Sequence, residues 1–211
     1  MQSEKNILVL GTGLFAEEVG GMIAEMDGFN LTGFVEGIDR DRCGKSLLGR
    51  PVHWVEEIEP NASSAFGICA VGSPERRTFI RQASERGLSF TTVIHPSAVV
   101  SGSSTIDEGS FICPGCVIAS QVTIGSHVII NRGCLIGHHD TIGSFTTISP
   151  GANMAGDVKI GEGTYIGMGA VILDGRRVGE GAVVGAGSVV TRDIPDRVQV
   201  LGLPARITKR L

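Results

Sequence analysis

Five histidines, His53, His95, His127, His138 and His139, carry most of the proton chemistry this chain can offer near neutral pH. An imidazole, with an ordinary pKa of about 6.5, is the natural general base there. Two of them are adjacent and followed by an acid, in Leu135-Ile136-Gly137-His138-His139-Asp140. A second candidate is the turn Gly11-Thr12-Gly13, set between an apolar run and a helical pattern. Backbone N–H groups at such a turn can face a phosphate. The dinucleotide fingerprint wants a third glycine, and that place is Ala16, which the pattern sometimes allows. Glu36 falls where a ribose-binding acid would end the second strand. Tight helix packing explains the same glycines. Cys113-Pro114-Gly115-Cys116 invites a metal or redox reading, but one CxxC is not a zinc site, because four ligands are wanted. Both cysteines fit small-residue places in a repeat, and no metal is expected.

The element that must position the histidine pair is legible from that repeat. Stepping by six from Val100 to Val190 meets sixteen consecutive aliphatic residues, Ile118, Ile136, Ile148, Met154 and Ile172 among them. The residue after each is usually small or polar, as at Gly125, Gly137, Gly143 and Gly161. A period of six is neither 3.6 nor 2. It means a short strand, a corner, then another strand, with the aliphatic residue inward and stacked on its copies. Stability in such a solenoid comes from stacked neighbours, since no single repeat has a core. A β-sandwich would space its strands irregularly. Because Ile136 is inward, His138 and His139 lie at the following corner and are not core filling.

The first half alternates strands and helices, which implies a small parallel α/β domain. Asn6–Gly11 reads as a buried strand. Apolar positions 15, 19, 22, 23 and 26 predict an amphipathic helix over Leu14–Met26. Strands follow at Leu31–Glu36 and Ala65–Val71. Ser73-Pro74-Glu75 opens a second helix that runs to about Arg86. Ser89–Ile94 is the last strand, and His95-Pro96 leads into the coils. The expected domains are 1–96 and 97–211.

Composition agrees. Glycine is 31 of 211 residues while aromatics are 5%, which fits small regular layers and tight turns. Collagen is excluded, because glycine does not recur every third residue. A net charge of -4 argues against a broad nucleic-acid surface. No stretch approaches the roughly 20 apolar residues of a membrane span. Five cysteines without a disulfide-scaffold layout suggest reduced thiols, and a cytoplasmic protein is expected.

The hexads resemble those of the hexapeptide-repeat transferases. Adding Ile7 to Gly13, Ile94-His95-Pro96-Ser97-Ala98, Asn131 through His138, Ser149-Pro150-Gly151-Ala152 and Leu201-Gly202-Leu203-Pro204-Ala205, nearly the whole chain is similar to bacterial sugar acyltransferases. These include sialic-acid O-acetyltransferases and UDP-4-amino-sugar N-acetyltransferases. The resemblance implies a Rossmann-like α/β domain followed by a left-handed parallel β-helix. It also implies a homotrimer with active sites between adjacent helices and acetyl-CoA, or another acyl-CoA, as co-substrate. The acceptor would be a sugar or sugar nucleotide. It places the base on His138. The family's orienting Asp or Glu falls on His139, leaving Asp140 or an acid of another subunit to take that part. A second family histidine falls on Thr147. Asn131 matches a substrate-side asparagine, and Gly156 the position whose N–H can meet the thioester carbonyl. Gly11, Gly13, Phe15 and Glu36 would line the sugar-nucleotide site, with Phe15 where the family has histidine. Arg206 and Lys209, on the tail, could meet CoA phosphates. The leading expectation is N-acylation of a nucleotide-linked amino sugar. The alternative is O-acetylation of sialic acid or a related sugar. More distant is a non-catalytic or metal-binding β-helix, although His127, His138 and His139 lack the spacing of a three-histidine metal site.

Overall fold

A computed structural model describes residues 4–58, 65–74 and 76–211. The chain forms two compact units, Met1–Thr91 and Thr92–Leu211.

The first unit is an α/β sheet. Its elements are β1 (Lys5–Leu10), α1 (Leu14–Ala24), β2 (Phe29–Glu36), β3 (Ser46–Leu47), β4 (Arg50–Trp54), β5 (Ala65–Cys69), α2 (Arg76–Glu85) and β6 (Ser89–Phe90). The strand order is β3-β4-β2-β1-β5-β6. All neighbours are parallel except the β3–β4 hairpin. The central strand is apolar on both faces, as a covered parallel strand must be, and Ile7, Val9 and Leu10 are fully buried. Helix α1 lies close to β2 at Gly20, where an added Cβ would come within 2.5 Å of the Phe34 ring. The hairpin was not foreseen. It turns through Leu48 and Gly49, both at positive φ (51° and 70°), as a two-residue hairpin turn requires. Ser73 and Pro74 precede α2, whose first described residue is Arg76; the expected opening residue Glu75 lies outside the described residues.

The second unit is a β-solenoid with three parallel sheets, one per face, and strands of two residues. Partners are 18 residues apart, so three hexads close one coil: Phe111 pairs with Ile129, Ile129 with Thr147, Thr147 with Tyr165. The second residue of each strand points inward, and Ile112, Ile130, Ile148, Ile166 and Val184 are fully buried. Each such side chain contributes about 1.5–3 kcal/mol by leaving water. Two places earlier a small residue fills the corner, as Ser110, Cys116, Cys134, Thr146 and Ala170 do, all fully buried. The expected strand Ser89–Ile94 is two strands. Ser89–Phe90 joins the α/β sheet, whereas Val93–Ile94 pairs with Phe111–Ile112 as the first rung. The six-step extends one place back from Val100 to Ile94, which is the signal for it. At the other end the expected tail is an antiparallel hairpin, Val198–Leu201 with Arg206–Arg210, added to one face.

Candidate active site

The histidine pair stands on a corner between two faces of the solenoid. Leu135–Ile136 belongs to one sheet and Thr141–Ile142 to the next, so 137–140 is the corner joining them. Backbone bonds fix that corner to its neighbouring coils: His139 N–H donates to the Ser120 carbonyl (3.0 Å), and Asp157 N–H to the His138 carbonyl (2.9 Å). His139 takes φ 63°, and Gln121, Asp157 and Gly175 take 59°, 58° and 65° in the same place on adjacent coils. The left-handed conformation is therefore a property of the coil.

Both rings are exposed, and they meet edge to face, with Nδ1 of His138 3.0 Å from Nδ1 of His139. That leaves Nε2 of His138 for a ligand. Directly on the next coil lies Gly156, where an added Cβ would fall 2.4, 2.5 and 2.9 Å from Cε1, Nε2 and Nδ1 of His138, against the face of the ring. Glycine is thus required there to leave the imidazole its place. The corner can accept a proton at one nitrogen and offer the Gly156 main chain to a reacting group beside it.

Asp140 does not reach the rings. It fills the inward corner slot and is fully buried. Its Oδ1 accepts from Val158 N–H (2.8 Å) and its Oδ2 from Gly137 N–H (3.0 Å). Burial pushes its pKa up to about 7, despite those two donors. Of the two candidates for the orienting acid, Asp140 and an acid of another subunit, Asp140 is therefore engaged by backbone and not by His138.

A separate cleft of about 280 Å³ opens in the α/β unit, lined by Gly11, Thr12, Gly13, Phe15, Glu36 and Arg42 among others. Gly11, at φ 117°, lets the chain leave β1 sharply; a Cβ there would press on Ala16. Glu36 sits where expected but is engaged by protein. Its Oε1 accepts from the N–H groups of Gly37, Ile38 and Asp39 (2.9, 2.8 and 3.2 Å), and its Oε2 from the Thr12 hydroxyl. Burial raises its pKa, but the Thr12 hydroxyl and these N–H groups together outweigh burial and hold it below the ordinary value. Glu36 thus ties the loop after β2 to the glycine turn. Sequence reasoning missed Thr12 and Arg42. The Arg42 guanidinium donates to Thr12 Oγ1 (3.1 Å) and Asp39 Oδ2 (3.2 Å); in sequence it is one of two arginines in the run Arg40-Asp41-Arg42 just beyond β2, and nothing there distinguishes it from Arg40.

The family described as Bacterial transferase hexapeptide (six repeats) matches residues 103–138, 141–174 and 157–192. Solved structures match nearly end to end. Perosamine N-acetyltransferase from Caulobacter crescentus, a histidine-to-asparagine variant with CoA and GDP-perosamine, is 30% identical over 97% of each chain, with a TM-score of 0.88. The acetyltransferase domain of PglB from Neisseria gonorrhoeae is 31% identical over 97% of this chain and 100% of that one (TM-score 0.87). The chain belongs to the hexapeptide-repeat sugar N-acetyltransferases. WeeI from Acinetobacter baumannii is 28% identical over 97% of this chain and 100% of its own (TM-score 0.86). No curated protein sequence matches the chain.

In this acetyltransferase the other sequence candidates lie on other parts of the solenoid. Asn131 is at the corner following Ile129–Ile130, on a different edge from His138. Its Oδ1 accepts from Arg132 N–H (2.9 Å). Arg206 and Lys209 are exposed on the terminal hairpin, which extends the first face. One protomer does not bring these three to the histidine pair. Thr147 is buried on the first face, also away from that pair. Cys116 fills an inward slot, its thiol donating to the Asn131 carbonyl at 3.1 Å. Among the described residues no helix is long and apolar enough to cross a membrane.

Proposed function

We propose that the protein transfers the acetyl group of acetyl-CoA to the amine of a nucleoside-diphosphate amino sugar, with His138 as general base. The observation that carries this reading is the corner itself: an exposed imidazole that lies over Gly156 and whose Nε2 is left free by the Nδ1 contact with His139, in a chain similar over 97% of its length to an enzyme that binds CoA and GDP-perosamine. The neutral amine attacks the thioester carbonyl, and a C–N bond forms. Gly156 N–H meets the developing oxyanion. His138 Nε2 takes the proton from the attacking nitrogen, the C–S bond breaks, and that proton passes to the departing thiolate. A thioester is already activated, so neither metal nor covalent intermediate is needed. The α/β cleft holds the nucleotide, its phosphates against the Gly11-Thr12-Gly13 turn at the start of α1, with Arg42 supplying positive charge.

A homotrimer completes the reading. Val99, Val117 and Leu135 form an exposed aliphatic column on one face, and Val99 is 64% exposed. Covering such a column is what a second protomer would do. Contacts from Asn131, Arg206 and Lys209 would then come from a neighbouring subunit, with Arg206 and Lys209 meeting CoA phosphates.

The test is release of free CoA thiol over a panel of amino-sugar nucleotides. His138→Ala is expected to lower kcat by about 10²–10⁴-fold, the usual contribution of a positioned base, with unchanged thermal unfolding. Near-wild-type turnover in that variant would remove His138 from the role.

A further inference from the structure

We propose that His139 is a positioning residue, which accepts the Nδ1–H of His138 and so makes the base a neutral imidazole pair. The inference rests on His138 being the base. Its ground is the 3.0 Å approach of the two Nδ1 atoms. At that distance a single proton lies between them, and it belongs to one ring or the other. If His139 carried it, His138 Nδ1 would be the acceptor and His138 Nε2 would hold the ring's only proton. Nε2 is the ring nitrogen that the contact with His139 leaves free for substrate, and protonated it cannot take another proton. The working arrangement is therefore unique: His138 holds its proton on Nδ1 and donates it, while His139 holds its own on Nε2 and accepts at Nδ1.

The coil supplies what this pairing needs. His139 stands at φ 63°, a conformation also taken by Gln121 and Asp157 in the adjacent coils, so the backbone aims the side chain at this position whatever residue is there. Gly156 leaves His138 its place over the next coil, and the two rings stand at 88°. Asp140, the acid next in sequence, is occupied by the N–H groups of Val158 and Gly137. A carboxylate can only accept a hydrogen bond, so it would fix the tautomer of its partner outright. An imidazole fixes it only because its own Nε2 carries a proton. When His138 takes the substrate proton, the positive charge is shared by two rings, to neither of which Asp140 is bound.

Three variants and one spectrum separate the possibilities. In His139→Asn the amide Oδ1 would stand the same number of bonds from Cα as the imidazole Nδ1 it replaces. Asparagine also tolerates a positive φ, so this variant keeps a neutral acceptor. His139→Phe puts carbon there, and Phe145 at φ 59° shows that the solenoid accepts a ring in this conformation. With acetyl-CoA and an amino-sugar nucleotide, His139→Phe is expected to lose about 10–100-fold in kcat, on the scale found when a partner that orients a metal-ligating histidine is removed. KM for both substrates should stay within about threefold, while His139→Asn keeps kcat within about fivefold of wild type. Independently of activity, ¹⁵N imidazole spectra of the wild-type protein should show His138 protonated at Nδ1 and His139 at Nε2. Wild-type kcat in His139→Phe, equal losses in both variants, or a His138 protonated at Nε2 would each overturn the inference. His138→Ala is the third variant. If it is inactive while His139→Phe is fully active, only this inference fails; if it is active, the general-base reading has failed first.

Discussion

A methyl group added at Gly156 would press on the face of the imidazole proposed to take the proton. The added Cβ would lie 2.5 Å from His138 Nε2, whereas ordinary contact begins near 3.4 Å. The ring belongs to an exposed side chain, so it yields and the backbone does not. It has to retreat by about 1 Å, and misplacing a catalytic group by that much costs on the order of 10²-fold in rate. Stability should hardly change, because nothing buried moves. Gly137→Ala is the control. There the added carbon would meet the Ala155 carbonyl and lie 2.8 Å from the Gly156 nitrogen, all of it backbone of the next coil. That overpacking should cost about 1–3 kcal/mol, or several degrees in Tm at about 2–4 °C per kcal/mol for a chain of this size. Thiol release and thermal unfolding of both variants decide the matter. Gly156→Ala with wild-type turnover, or with a Tm loss matching that of Gly137→Ala, would refute the packing of His138 on Gly156.

Asp140 makes stability depend on pH. Its pKa is raised from 3.8 to about 7, so between those values the folded state keeps a proton that the unfolded state has lost. Stability therefore falls as pH rises through that window, by about 4 kcal/mol at most. Asp140→Ser should remove that fall and raise Tm at pH 8, because Ser110 fills the equivalent slot by accepting from Val128 N–H and donating to the Gly125 carbonyl. Equal pH slopes of Tm in the two proteins would contradict this. Glu36→Ala removes the acceptor that holds the N–H groups of Gly37, Ile38 and Asp39 and frees the loop after β2 from the glycine turn. KM for the sugar nucleotide should rise while KM for acetyl-CoA holds; a matching rise in both would count against a nucleotide role for the cleft. Gly20→Ala drives a carbon toward Phe34 and should lower Tm through about 1–3 kcal/mol of overpacking, read by thermal unfolding.

The solenoid was legible because its rule is one-dimensional. A single aliphatic residue every six places specifies strand, corner and stacking register together, and it places His138 and His139 on a corner. The rule's lower limit was not legible in the same way. Ile94 satisfies the six-step, but the apolar run Ser89–Ile94 also reads as one strand, and only pairing with Phe111–Ile112 divides it. The β3–β4 hairpin was hidden because its turn uses Leu48 at positive φ, where glycine or asparagine is the usual signal. Glu36 was located correctly, but its partners could not be read from the chain. They are N–H groups of the three residues after it, and sequence does not reveal which way a carboxylate folds back.

The corner chemistry was only half legible for a related reason. In a strand, alternation tells inward from outward, but at a left-handed corner two consecutive residues can both face solvent while the third turns in. His138, His139 and Asp140 do this: two exposed rings, then a fully buried carboxylate. Sequence left Asp140 or an acid of another subunit as the orienting acid, yet the corner slot of Asp140 is one that Ser110, Thr146 and Thr164 fill elsewhere, where a hydroxyl bonds the backbone of the next coil. The slot's demand for a backbone partner decides the orientation of Asp140, and His139 is left as the residue that meets His138. The same separation explains how the pair can depart from an acid at position 139 without harm to the fold. The φ of that position is set by the stacked coils, the core is carried by Ile136 and Ile142, and a side chain standing outside both is free to change.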